Sequence, residues 1–159
     1  MKSLYLLRHG RAETKEKQPD IERNLDDEGR NEVRVTAEKM LKLGINPSLI
    51  IASNANRAYQ TAEIVASTLG YNIKNIEIEK EIYHSGVDAM ATVIENQDDK
   101  YQSILVAGHN PTISYLANSL DKSYKWTMET AELLAFELHA NSWDTFMEHE
   151  IKLLFQIQK

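Results

Sequence analysis

Three short apolar runs in this chain each end in residues able to meet an anion. Leu4–Leu7 is followed by Arg8-His9-Gly10, and Leu49–Ala52 by Ser53-Asn54-Ala55-Asn56-Arg57. Ile104–Ala107 is followed by Gly108-His109-Asn110-Pro111. Taken singly, each piece has an ordinary structural reading. A histidine at a strand end is more often a hydrogen-bonded structural residue, Arg57 alone reads as a solvated helix residue, and His109 alone could cap the next helix. Gly10 and Gly108 alone mean only a turn or a close backbone approach. The repetition at three strand ends is harder to explain that way. In open α/β sheets ligands gather at the carboxyl ends of the strands, and helix N-termini there add N–H donors and partial positive charge. Two histidines and two arginines converging on one anion would make a phosphate pocket. Neutral imidazole nitrogen is a competent nucleophile, and nearby positive charge keeps it neutral by lowering its pKa. Phosphoryl transfer needs in-line positioning and charge on the non-bridging oxygens, which arginine forks provide better than lysine. No metal and no cofactor is expected: the five histidines show no zinc-like spacing and there is no P-loop pattern.

The elements that must carry these residues follow from hydrophobic patterning. The three apolar runs read as buried strands. Residues 11–25 are polar and aperiodic, a loop. Helical spacing runs from Asp26 to Leu43 with Gly44 as the stop. After the second strand, Asn54 stands where a cap belongs, and Ala58, Ala62, Val65, Ala66 and Leu69 form one helix face ending at Gly70. Ile76 and Ile78 alternate with Glu77 and Glu79, a strand with one wetter face, and Val87–Ile94 is expected to be helical. Asn110-Pro111 announces a helix to about Leu120, with proline at the first helical position. Leu133–Leu138 and Ile151–Ile157 are late strands, too close for a helical crossover, so at least one antiparallel strand is expected. The pattern predicts an α/β three-layer sandwich with a mainly parallel central sheet, in a single domain over residues 1–159.

Composition narrows the function classes. The 159 residues are 42% hydrophobic and 26% charged, ordinary for a globular domain. With 24 acidic and 18 basic residues the net charge is −6, and no basic stripe suits nucleic acid. There is no cysteine, which removes thiol nucleophiles and disulfides and fits a reducing compartment. The N-terminal apolar run is too short for a signal peptide and no stretch suits a membrane span. A cytoplasmic monomer is the expectation.

The motifs resemble the histidine phosphatase superfamily, with its phosphoglycerate-mutase-like fold. The opening signature of that family matches Arg8-His9-Gly10. Its Ser-x-x-x-Arg-Ala-x-Gln-Thr-Ala block matches Ser53 with Arg57-Ala58-Tyr59-Gln60-Thr61-Ala62, and its late Gly-His matches Gly108-His109. Agreement in order and spacing runs from about Leu4 to Leu138. Compact length, the opening Arg-His-Gly-x-Ala, and Arg23-Asn24-Leu25 followed by Gly29 are similar to the short bacterial phosphohistidine phosphatases of the SixA type. The chain departs from the family at Asn54, where Ser-Pro is frequent, and at Asn24, where Arg-Pro-Leu is frequent; neither change removes a functional side chain.

The resemblance implies that His9 is phosphorylated, that Arg8 and Arg57 bind phosphate, and that His109 completes the pocket. Arg23 is either another contact or a solvated loop residue. Glu81 sits where larger members keep a catalytic glutamate, and Asp88 is a second candidate acid, though any one carboxylate in so acidic a chain is more often just solvated; His84 is expected at the rim or in a structural role. The implied substrate is a phosphorylated protein, such as a histidine-containing phosphotransfer domain. The alternatives are a sugar or nucleotide phosphate, or a non-catalytic binding module on the same fold. A mutase is disfavoured, since it must rebind its intermediate under a closed lid.

Overall fold

Strand β2 (Leu49–Ala52) is buried at every position, as a strand covered on both faces must be. It lies in a six-stranded sheet with β1 (Lys2–Arg8), β3 (Glu77–Ile78), β4 (Ser103–Gly108), β5 (Leu133–Leu138) and β6 (Ile151–Ile157). The computed structural model describes residues 1–123, 125 and 127–159. The strand order is β3-β2-β4-β1-β5-β6. The first four strands of that order pair in parallel, while β5 runs antiparallel to β1 and β6 antiparallel to β5. Residues 139–150 join the last two strands without a helical crossover, which is why they pair as antiparallel neighbours.

Side chains alternate across the pleat and feed two cores. Leu4, Leu6, Leu49, Ile51, Ile104 and Val106 face one side, covered by Met90 and Ile94 of helix α4 (Val87–Glu95) and by Ile113 and Leu116 of α5 (Thr112–Leu120). Leu7, Ile50, Ala52, Leu105 and Ala107 face the other side. There Val33, Ala37 and Met40 of α1 (Asp27–Lys42) and Ala62, Val65 and Ala66 of α2 (Asn56–Leu69) cover them. The result is the expected helix–sheet–helix sandwich. A four-residue helix α3 (Glu81–His84) follows β3.

Local differences from the sequence reading have physical causes. Asp26 caps α1 by accepting from the Gly29 amide at 2.7 Å. Asn54 does not cap α2; Ser53, turned into the buried end of β2, accepts from the Ala55 amide instead. The Asn110–Pro111 peptide is cis and α5 begins one residue later, at Thr112. The Asn110 side chain donates to the Met128 carbonyl and accepts from the Ser114 hydroxyl, so it caps no backbone amide of the helix. The third strand is only two residues long. Segment 11–25 is a loop as expected, pinned by a single bridge between Ala12 and Leu25 and tightened into a 3₁₀ turn at Asp20–Glu22.

Gly29, in the first turn of α1, lets the helix press against the backbone just beyond His9. A Cβ at that position would lie 1.9 Å from the Arg11 carbonyl oxygen. Since neither backbone can yield without moving the other, Gly29→Ala is expected to cost about 3 kcal/mol of stability, read from urea unfolding midpoints. A change within about 0.5 kcal/mol would show that the helix can slide away freely.

Candidate functional site

The order β2-β4-β1 makes neighbours of the three strands whose ends carry chemistry. The ladder continues past them: the His9 amide donates to the Gly108 carbonyl and the Ser53 amide to the Ala107 carbonyl, each at 3.1 Å. His9, Ser53 and His109 therefore leave the sheet side by side, and the His9 and His109 ring centroids are 5.0 Å apart.

The state of His9 follows from its partners. Its Nδ1 lies 2.7 Å from the Gly10 carbonyl oxygen, which can only accept, so Nδ1 carries the proton and Nε2 keeps its lone pair. Gly10 is held in turn by its amide donating to Thr61 Oγ1, and Thr61 Oγ1 donates to the Arg57 carbonyl in the first turn of α2. Arg57 Nε donates toward His9 Nε2 across 3.4 Å. Burial pushes the His9 pKa down to about 4, with the positive charges of Arg57, Arg8 and Arg23 adding to it against the bond to Gly10. At neutral pH the ring is therefore uncharged, the state in which an imidazole nitrogen is able to act as a nucleophile.

His109 is tuned the same way. Its Nε2 is 2.8 Å from Ser53 Oγ. That hydroxyl oxygen also accepts from the Ala55 amide. His109 Nδ1 is buried and has no protein partner, and the same holds for Arg8 Nε. Buried polar atoms without partners are uncommon and need a reason; here both belong to residues beside His9. Arg8 is fixed by Nη1 donating to the Met128 carbonyl at 2.8 Å. Burial holds the His109 pKa at about 3, helped by His9, Arg57 and His84.

The depressed histidines set an acid limit. Below about pH 6.5 the unfolded chain protonates both rings, whereas the fold keeps them neutral down to about 4 and about 3. The unfolded state then binds more protons, so stability is full above about pH 6.5 and is lost as the pH falls toward 3. Urea midpoints at about pH 7 and pH 5 should show the decline, and kcat/KM should drop as His9 protonates near pH 4. A midpoint unchanged across that range would contradict the burial of neutral rings.

The structure brings His9, Arg57 and His109 into contact; Arg8 reaches the Met128 carbonyl and bears on His9 through its charge. Arg23 joins one step removed: its Nη1 pairs with Asp20 Oδ1 at 3.0 Å, and Asp20 in turn holds Arg57. Glu81 is elsewhere. It lines a surface groove with Glu79, Thr92, Val93 and Asn96, on the α4 side of α3. Asp88 is exposed in the first turn of α4. His84 lies at the rim, stacked on Tyr83 with ring centroids 3.8 Å apart and 4.0 Å from Asp20 Oδ2. Three participants carry no role in the sequence reading: Asp20, Tyr83 and, as a partner of His109, Ser53. Ser53 was visible as part of a motif. Asp20 and Tyr83 lie in a loop and a short turn, and only the Asp20-x-x-Arg23 spacing, one 3₁₀ turn apart, hints at a pair.

Two histidines and Arg57 thus meet at the carboxyl ends of the parallel strands of an α/β sheet. The model of the histidine phosphatase superfamily (branch 1) matches residues 4–105, and the chain belongs to that superfamily. Among solved structures it is similar to one assigned as the phosphohistidine phosphatase SixA from Agrobacterium tumefaciens. That likeness has a TM-score of 0.84 at 22% identity, over 99% of this chain and 98% of that one. The protein histidine phosphatase SixA complexed with tungstate gives a TM-score of 0.84 at 21% identity, over 98% and 96% of the two chains. A mycobacterial glucosyl-3-phosphoglycerate phosphatase gives 0.69 at 18%, over 96% and 97%. At these identities the likeness is one of fold. A curated relative is the mitochondrial serine/threonine-protein phosphatase Pgam5 of Drosophila grimshawi. It is 35% identical over 65 residues, which make up 39% of this chain and only 22% of that protein. No helix among the described residues is long and apolar enough to cross a membrane.

Proposed function

We propose that the protein is a phosphatase that takes a phosphoryl group onto His9 Nε2 and passes it to water, with phosphohistidine on a protein as its substrate. The observation that carries this reading is the lone pair of His9 Nε2, facing Arg57 beside the His109 ring, whose buried Nδ1 has no protein partner. In the first step the Nε2 lone pair forms a bond to phosphorus while the bond from phosphorus to the leaving group breaks. The guanidinium and imidazole donors meet the charge on the non-bridging oxygens. In the second step water attacks the same phosphorus and the phosphorus–Nε2 bond breaks. The water proton passes to phosphate or solvent, and the lone pair returns to His9. The positive side chains supply the charge this needs, so no metal is invoked.

Phosphohistidine suits the site because it asks little of a general acid: once its ring is protonated, it departs as neutral imidazole. Glu81 faces a separate groove, and Glu81→Gln is expected to change kcat/KM by no more than about twofold on alkyl, aryl or histidine phosphate. A loss confined to alkyl phosphates would restore it as the acid. The rim is also wet, with the side chains of Asp20 46% and His84 70% exposed, which fits a phosphate presented on a protein surface.

The test is phosphate release from a phosphorylated histidine-containing phosphotransfer domain, compared with a panel of sugar and nucleotide phosphates, with and without EDTA. The phosphoprotein should have the highest kcat/KM, and EDTA should change nothing. Preference for a small phosphate would make the protein a phosphomonoesterase. Loss in EDTA, restored by a divalent ion, would overturn the metal-free mechanism, and no release from any substrate would leave a binding module.

A further inference from the structure

A guanidinium is flat, with N–H groups on two edges, and can hold one partner while presenting its other edge elsewhere. Arg57 is divided in this way. Nη1 donates to the Asp20 carbonyl at 2.8 Å and Nη2 to Asp20 Oδ2 at 2.9 Å, while Nε points to His9 Nε2. We propose that Asp20 is a positioning residue, gripping the outer edge of Arg57 through both its carbonyl and its carboxylate so that the inner edge stays aimed at the phosphorus bound to His9. The inference rests on Arg57 being a phosphate ligand, as proposed above.

Asp20 is itself held from two sides. Arg23 Nη1 bonds Oδ1 at 3.0 Å, and Arg23 is anchored by its Nε donating to the Glu13 carbonyl at 2.8 Å. The Tyr83 hydroxyl donates to Oδ2, and the Tyr83 ring stands edge-on to His109, centroids 5.4 Å apart. The loop before α1 and the turn after β3 are thereby tied to the end of α2 that carries Arg57. These partners also keep Asp20 a carboxylate. The hydrogen bond from Tyr83, then those from Arg23 and Arg57, hold its carboxyl well below the usual range. A group that is ionised at neutral pH has no proton to give a leaving group. Its place is also outside both cores, in a 3₁₀ turn with no buried residue, so its removal leaves the packed interior intact. What it removes is the grip on Arg57, whose own side chain is only 6% exposed and otherwise has the Tyr83 ring 5.9 Å from its guanidinium carbon.

The experiment is a double-mutant cycle with Asp20→Ala and Arg57→Ala, read as kcat and KM on nitrophenyl phosphate and as inhibition by vanadate, with thermal melts as the folding control. Asp20→Ala should lower kcat by about 10–100-fold, the range expected for a catalytic group displaced by an ångström or less, with little change in KM. In the Arg57→Ala background the same change should do nothing further. Asp20→Asn, which keeps one acceptor for Arg57, should recover part of the loss. The loss should also be equal for nitrophenyl and alkyl phosphates. Losses that add in the double mutant, a loss that grows with the basicity of the leaving group, or undiminished activity in Asp20→Ala would overturn the positioning role alone. Undiminished activity in Arg57→Ala would overturn both that role and the phosphate site on which it rests.

Discussion

His9→Ala is expected to lower kcat on nitrophenyl phosphate by on the order of 10⁴-fold or more, as when the nucleophile of a covalent mechanism is removed. The expectation comes from the ring's surroundings. Its Nδ1 proton is committed to the Gly10 carbonyl, so Nε2 alone can attack, and burial keeps that nitrogen unprotonated at neutral pH. None of the neighbours replaces it. His109 is tied through Nε2 to the Ser53 hydroxyl. The fold should survive, because His9 lies past the end of β1 and belongs to neither hydrophobic core. Two measurements complete the test. Wild-type protein quenched during turnover should carry acid-labile phosphate, and the variant should carry none while melting within a few degrees of wild type. Turnover in the variant above a hundredth of the wild-type value would remove His9 from the role.

Much of this site was legible in the sequence because regular structure places it. Strands β1, β2 and β4 announce themselves as short apolar runs, and their carboxyl ends had to lie near one another if they were neighbours in a parallel sheet. The sheet order β2-β4-β1 makes them so, which is why the sequence alone groups His9, Arg57 and His109. Asp20 was hidden for the converse reason. It sits in the polar segment 11–25, where no hydrophobic period fixes which side chain turns inward, and its position depends on contacts with Arg23, Arg57 and Tyr83 that are far apart along the chain. The position of Glu81 depends on a similarly short element. Residues two apart on a helical turn point to nearly opposite sides, so Tyr83 facing the site leaves Glu81 facing α4. The cap expected at Asn54 differed because Ser53, drawn into the site, meets the Ala55 amide.

Arg57 separates charge from geometry, and two substitutions should show how much each contributes. Arg57→Ala removes a preorganised donor from a nearly buried position and should cost roughly 2–4 kcal/mol of transition-state stabilisation, about 30- to 1000-fold in kcat/KM. Arg57→Lys keeps the positive charge, so if charge alone mattered it would recover most of that loss. A lysine ammonium, however, is a point charge on a flexible stem. It cannot bond the Asp20 carbonyl, Asp20 Oδ2 and a phosphate oxygen in one plane, as the guanidinium can with its three nitrogens. The nearest strong acceptor is the Asp20 carboxylate, and an ammonium drawn to it would stand back from His9. Arg57→Lys should therefore remain at least about tenfold below wild type, with vanadate inhibition weakened alongside kcat because both depend on the same aimed edge. Recovery of wild-type kcat/KM by lysine would mean that the site needs only a cation near His9, and that the orientation imposed from residue 20 contributes nothing to the reaction.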